Sequence, residues 1–165
     1  MRLTMRSDYG AHAVIELAAR FGQGPVQSAD IATRQKIPLA YLDQLLATLR
    51  RAGIVRSTRG PHGGHELARR PHDLTLGDVV TALEGPVVPT EFVHAPSTQA
   101  GGQDRLAGCA VRNTWHAAAV ASQRVLDATS IADLLAEQQH IRLLRGEPCP
   151  TAVAASGSAI LVAAN

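Results

Sequence analysis

Residues 37–64 read IPLAYLDQLLATLRRAGIVRSTRGPHGG, and this stretch decides the fold. Its first half predicts an amphipathic helix, which Pro38 opens and the pair Ala52-Gly53 ends. The apolar stripe of that helix consists of four leucines, Leu42, Leu45, Leu46 and Leu49. Two strand-like runs follow at 54–57 and 65–68, and the glycines and proline between them indicate a tight turn. The stretch therefore predicts a helix followed by a β-hairpin.

Further helices are predicted on both sides of this unit. Residues 4–22 predict a helix with four side chains at four-residue spacing on one face, Met5, Tyr9, Ala13 and Leu17. Ser28 is predicted to cap a short second helix, and Thr75 with Asp78 forms a capping box before a helix over 76–83. Three helices, two strands and a helix follow each other in a winged helix-turn-helix. We therefore expect a mainly α protein with a small two-stranded wing.

The C-terminal half predicts a loop, two helices and a tail. Residues 86–108 show no periodicity. Residues 110–128 predict a long helix that has few large apolar side chains, and Thr129 or Ser130 caps a last helix. The end of the chain is rich in Pro, Ala, Ser and Gly, and we expect it to be disordered. The predicted division is 1–85 for the winged domain, 86–108 for the loop, 109–145 for the two helices and 146–165 for the tail.

Positive charge is concentrated in one segment. The 165 residues carry 16 basic and 14 acidic side chains, a net charge of +2, which rules out a uniformly basic coat for nucleic acid. Between residues 50 and 70, however, six arginines stand against one glutamate, a local charge of +5. Such a cluster is the electrostatic footprint of a protein that binds a phosphate backbone. The alternative is a solvated arginine-rich face.

Composition and motifs exclude several other classes of protein. Cys109 and Cys149 are too few for a disulfide framework or an all-thiolate metal site. No apolar run reaches the length of a membrane span, and Asp8 and His12 interrupt the region where a signal peptide needs an apolar core. No nucleophile elbow, P-loop or metalloprotease helix occurs. We expect a cytoplasmic, nucleoid-associated protein that binds no membrane and is not an enzyme.

Tyr41, Asp43 and Gln44 lie on the exposed face of the predicted third helix, where side chains can read bases. Asp43 can accept a hydrogen bond from a cytosine amino group, and Gln44 can bond adenine; the alternative for Asp43 is an ion pair with a nearby arginine. At the wing, Arg59 can enter a narrow minor groove, although the hairpin could also be purely structural. The predicted DNA-binding residues are Ala40, Tyr41, Asp43, Gln44, Arg50, Arg51, Arg56, Arg59, Gly60 and Pro61.

Several of these stretches together resemble the Rrf2 family of IscR- and NsrR-type winged-helix repressors. The resemblance rests on MRLT at 1–4 through Tyr9, on LAYLDQL at 39–45 and on the RGPHGG wing at 59–64. TLGDVV at 75–80 and TSIADL at 129–134 also fit. The match covers about residues 1–140.

The resemblance implies a homodimeric bacterial transcription factor, in general a repressor. Its long helix at 110–128 would pair with the same helix of a second copy, and each winged domain would bind half of a palindromic operator. By the same resemblance, Tyr41 and Asp43 touch bases, while Arg59, Gly60 and Pro61 enter the minor groove. Such a regulator would sense redox state, nitric oxide or iron–sulfur status.

The sensor region departs from the pattern of the family. Many members hold an iron–sulfur cluster on three cysteines before the long helix, whereas this chain keeps only Cys109 and has Arg112 where some members place a histidine. Asp8 and His12 lie four residues apart on one helix face, at positions where some relatives place ligands, and His94 lies in the loop. These residues, with Cys109, suggest a [2Fe–2S] cluster with mixed Cys, His and Asp ligation, shared between two subunits.

Other functions of these residues stay open at this point. Cys109 could be a thiol switch close to a helix N-terminus, or an inert relic in a regulator that senses a small molecule, with Asp8 and His12 as ordinary surface residues. Zinc could occupy the same ligands. A different class of function is that of a DNA-architectural protein with little sequence preference. Cys149 has no assigned role.

Overall fold

The structure is a computed structural model that describes residues 4–61, 63–86 and 110–146. Most of the predicted loop and tail lies outside these residues. The helices are α1 (Met5–Ala18), α2 (Ser28–Gln35), α3 (Leu39–Arg51), α4 (Leu76–Glu84), α5 (Ala110–Ala128) and α6 (Ile131–Leu144). The strands β1 (Val55–Thr58) and β2 (Gly64–Leu67) form an antiparallel pair, followed by a short 3₁₀ turn, Pro71–Asp73. The mainly α winged helix-turn-helix is confirmed.

Capping side chains fix several of the helix boundaries. The capping box of Thr75 and Asp78 is present as predicted, and Ser130, not Thr129, caps α6. The prediction of Ser28 as a cap is wrong: the helix already includes Ser28, and Gln27 precedes it without a side-chain cap. A helix begins where the backbone turns from extended to helical, and at Gln27 it is still extended.

Three further boundaries differ from the predictions. The first helix ends at Ala18 and not at residue 22, because the chain there continues in a series of tight turns. Pro38 precedes α3 as its cap instead of forming its first turn, since the backbone of Pro38 is extended. The two strands lie one residue later and one residue earlier than predicted, at Val55–Thr58 and Gly64–Leu67.

The core lies between α1, α3, α4 and the hairpin. The four leucines of the predicted α3 stripe are fully buried. On α1, Ala13 and Leu17 are buried as expected, but the exposed side chain of Met5 contradicts the predicted stripe. The buried side of α1 instead runs through Gly10, where a side chain would collide with Leu83 of α4. Close contact between these two helices therefore shifts the buried face of α1 away from Met5.

The wing is attached to the segment between α1 and α2. The backbones of Val26 and His65 exchange two hydrogen bonds of 2.8 Å each. Gly64 is required at this point because a Cβ atom there would collide with the backbone carbonyl of Val26. The hairpin is thereby held beside the helix-turn-helix and does not stand free.

A polar cluster joins the start of α1 to the end of α4. The hydroxyls of Thr4 and Ser7 both donate to the Glu84 carboxylate, at 3.0 Å from Ser7. These hydrogen bonds, above all the one from Thr4, lower the pKa of Glu84. The Glu84 carboxylate therefore links the first turn of α1 to the last residue of α4.

The helices α5 and α6 return to the winged domain at their junction. Ile131 is fully buried, and its amide donates to the carbonyl of Leu74 at 2.8 Å. On α4, Gly77 lies so close to Asp127 of α5 that a side chain at Gly77 would collide with it. In the described parts of the chain, none of the helices has the length and apolar character that crossing a membrane requires.

Candidate nucleic-acid interface

The outward face of α3 presents a short polar surface. Ala40, Asp43 and Gln44 are exposed, as the sequence predicts. Because the leucine stripe of the same helix is buried in the core, α3 is fixed in rotation and these three side chains point to solvent. Among the described residues no arginine lies within ion-pair distance of Asp43, so its carboxylate remains available as a hydrogen-bond acceptor.

Tyr41 differs from the expectation that it lies on the exposed face. Its side chain is only partly exposed and packs against the core and against Tyr9 of α1. The two rings meet edge to face, with centroids 6.0 Å apart and an angle of 76° between their planes. The prediction that Tyr41 is exposed like Asp43 and Gln44 is wrong, because position 41 lies on the flank of α3 that faces α1.

Leu39 is also exposed on α3 and was absent from the predicted DNA-binding residues. It is the first residue of the helix, and 46% of its surface is accessible. Leucines on an amphipathic helix are expected in the core, so the sequence held no signal for an outward one.

His65 lies on β2 of the wing and was likewise missed. Its Nδ1 atom lies 2.9 Å from the Ser57 hydroxyl on the opposite strand. Burial lowers the pKa of His65, Asp43 opposes this shift and Arg50 adds to it. His65 therefore lies within electrostatic range of both α3 residues.

The predicted arginines fall into two groups. Arg56 pairs with Glu66 across the hairpin, with its Nε atom 2.9 Å from the carboxylate, which reduces the charge it can offer to phosphate. In the described part of the chain, by contrast, no carboxylate lies within ion-pair distance of the exposed Arg50, Arg51 or Arg59. These three guanidinium groups contribute positive charge to the surface.

One further arginine lies beside the end of α3. The Arg6 side chain approaches the Thr48 hydroxyl at 3.5 Å, and Arg51 donates to the same hydroxyl at 3.1 Å. The positive surface therefore extends onto the start of α1, a position that the charge count between residues 50 and 70 did not include.

The tip of the wing is a tight turn, as predicted. Gly60 has a φ of +119°, a backbone conformation that residues other than glycine rarely adopt. The Gly63 amide donates to the Gly60 carbonyl at 2.9 Å, and a side chain at Gly63 would collide with the backbone of Thr58. Arg59 and Pro61 are exposed at this tip. The turn presents a guanidinium group on a narrow projection.

Two of the four candidate cluster ligands lie together on α1. The Nε2 atom of His12 is 3.8 Å from Oδ1 of Asp8. The Nδ1 atom of His12 is buried without a hydrogen-bond partner among the described residues. The pair therefore places a carboxylate and an imidazole side by side on α1. His94 and Cys109 lie outside the described residues, and within those residues no group of three potential ligands occurs.

The helix-turn-helix is packed on the core through the leucine stripe of α3. Together with the exposed polar face of α3 and the basic wing, it defines a winged-helix DNA-binding protein. The chain matches the family model of Rrf2, an iron-dependent transcriptional regulator, over residues 3–137. It is 40% identical over 135 residues to protein rrf2 of Nitratidesulfovibrio vulgaris, covering 82% of this chain and 87% of that protein. The chain therefore belongs to the Rrf2 family of bacterial transcription regulators, which are not enzymes.

Two solved structures of the family are similar in fold. The structure of CymR (YrzC), the global cysteine regulator of B. subtilis, has a TM-score of 0.67 and 33% identity, and the match covers 83% of this chain and 98% of that one. T. potens IscR has a TM-score of 0.69 and 32% identity, with 86% and 91% of the two chains covered. The expectation of a helix-turn-helix transcription regulator agrees with relatives that carry the same two names, CymR and IscR.

Proposed function

We propose that the protein is a homodimeric repressor that binds a palindromic operator in the cytoplasm, at the nucleoid. In this proposal, α3 enters the major groove with Ala40, Asp43, Gln44 and the exposed part of Tyr41 toward the bases. The wing tip, with Arg59, Gly60 and Pro61, enters the adjacent minor groove. Arg50, Arg51 and Arg56 contact phosphates. The observation that carries the proposal is that Arg50, Arg51 and Arg59, near the exposed α3 face, have no carboxylate within ion-pair distance among the described residues.

An exposed apolar stripe on α5 supports the homodimer. Val111, Trp115 and Val125 are exposed, with 66% of the Trp115 surface accessible. Together with Ala118 and Ser122 they follow steps of four and three residues, the spacing of a coiled-coil seam. Leu126, next to this stripe, is buried. A second copy that packs its α5 against this one would cover the tryptophan in both.

Replacing Arg59 with alanine should weaken operator binding about tenfold and reduce the salt dependence by about one unit of slope, because one phosphate-region contact is lost. Fluorescence anisotropy titrations at several salt concentrations measure both values, on a duplex that the protein itself selects from a random library. Arg145→Ala, an exposed arginine at the end of α6, is the control and should leave the slope unchanged. An unchanged slope for Arg59→Ala would contradict the placement of the wing.

The sensor that we propose is a [2Fe–2S] cluster held by Cys109, His94, Asp8 and His12. The adjacency of Asp8 and His12 supports it, and so does the match to a family model described as iron-dependent. When bound, such a cluster supplies one-electron redox chemistry, and nitrogen ligands raise its potential. The chain's own contribution is a carboxylate and an imidazole held one helical turn apart on α1.

A thiol switch at Cys109 is the second candidate, because one relative of similar fold is named a global cysteine regulator. A thiolate near a helix N-terminus is favoured by the helix dipole. In that case the response to oxidant would need Cys109 but neither Asp8 nor His12. If the protein instead senses a small molecule, or binds zinc at the same ligands, it would be colourless.

Protein purified without oxygen should be brown and contain iron and sulfide in equal amounts, because a [2Fe–2S] cluster absorbs visible light. The absorption spectrum and metal analysis check this. His12→Ala should lose the colour, whereas His140→Ala, an exposed histidine on α6, should keep it. Colourless protein with full operator affinity would contradict the cluster, and if oxidant then blocks binding only when Cys109 is present, the thiol switch replaces it.

A further inference from the structure

Leu39 is the largest apolar side chain on the exposed surface of α3, beside polar and basic residues. The other leucines of α3 are fully buried, yet Leu39 is 46% exposed at the first position of the helix. Its neighbours Pro38 and Ala40 are also exposed and uncharged. The leading end of α3 is therefore a small apolar edge, directly beside the side chains proposed to read bases.

The position of Leu39 relative to Asp43 determines what it can reach. The two residues are four apart, so they lie on the same side of α3, one turn or about 6 Å along the axis. The first residues of a recognition helix are those that contact base edges. In the major groove the apolar feature of the base edges is the C5-methyl group of thymine.

We infer that Leu39 is a specificity-determining residue that contacts the methyl group of a thymine in each operator half-site. The inference rests on the proposed function. The 6 Å between Leu39 and Asp43 corresponds to about two base-pair steps of 3.4 Å. The thymine therefore lies within about two base pairs of the base that Asp43 contacts. In the free protein Leu39 is exposed to water. In the complex, contact with the thymine methyl group would bury it.

The test removes the thymine methyl groups one at a time. The full chain selects duplexes from a random library, and each thymine of the selected half-site is then replaced by deoxyuridine, which lacks only the methyl group. We expect one position per half-site at which this replacement weakens binding about fourfold, the effect of burying one methyl group. Leu39→Ala should weaken binding to the thymine duplex as much as replacing this thymine in both half-sites does, and its binding should not weaken further on the uracil duplex.

Two control variants test whether the effect on binding is specific to Leu39. One changes its neighbour on α3, and the other removes an exposed leucine elsewhere. Ala40→Gly keeps Leu39 and should retain the loss at the same thymine, which excludes Ala40 as the group that contacts the methyl. Leu143→Ala removes an exposed leucine on α6 and should leave all affinities unchanged. If Leu39→Ala does not fold, Leu39→Gln, which keeps the length of the side chain but makes its end polar, serves in its place.

The outcomes distinguish this inference from the proposed function. Tight selective binding that no uracil replacement changes, or a Leu39→Ala variant that still responds to the replacement, overturns the role of Leu39 and leaves the operator-binding protein intact. Failure to select any sequence overturns the proposed function, and the inference falls with it. Loss at one thymine that disappears in the Leu39 variant supports the inference.

Discussion

Replacing Trp115 with glutamate should convert the protein to a monomer and weaken operator binding by about a hundredfold or more. A charge at the centre of the α5 stripe would have to be buried against a second copy, which is costly without a partner charge. A monomer engages only one half-site and loses the gain from linked binding, which is on the order of 10² to 10⁴ in affinity. Sedimentation equilibrium and anisotropy titrations measure the two effects.

The control for this change is Asn113→Glu. Asn113 is exposed on the same helix but lies outside the stripe through Val111, Trp115 and Val125, so the same charge should not affect assembly. A Trp115→Glu protein that remains dimeric, or an unmodified protein that is monomeric at micromolar concentration, would contradict the proposed role of α5.

Replacing Gly64 with alanine should detach the wing from the helix-turn-helix and lower the free energy of unfolding by about 2 to 3 kcal/mol. The new Cβ atom would collide with the backbone of Val26, so the two hydrogen bonds between Val26 and His65 could not persist. Urea denaturation measures the stability. Operator affinity, measured where the variant is still folded, should fall as well because Arg59 loses its fixed position.

Gly24→Ala is the matched control for the wing. Gly24 has a φ of +99°, but a Cβ atom there would meet open space, so the substitution adds backbone strain of about 1 kcal/mol and no collision. Operator affinity should be unchanged in this variant. An equal loss of stability and affinity in both variants would show that the attachment through Val26 has no special role.

The elements with a strong local signal were predictable from the sequence. The leucine spacing of α3, the capping box of Thr75 and Asp78 and the glycines of the wing each depend on nearby residues, and the structure contains all three. The prediction of Ser28 as the cap was wrong because the helix begins one residue earlier, at Ser28 itself, and a shift of one residue at a helix end leaves little trace in the sequence.

Side-chain exposure was harder to predict than secondary structure. The half-burial of Tyr41 depends on its contact with Tyr9 on another helix, and the exposure of Met5 depends on how closely α1 approaches α4. The place of His65 beside α3 depends on the pairing of the wing with Val26. None of these contacts leaves a trace in the local pattern of residues.

Footprinting of the unmodified protein on genomic fragments tests the central claim most directly. A homodimer with two recognition helices should protect a palindrome whose half-sites lie about 10 base pairs apart, or a multiple of that distance, centre to centre. The protection should disappear in the Trp115→Glu variant at the same concentration. Uniform protection without a preferred sequence would contradict an operator-binding regulator and identify a DNA-architectural protein instead.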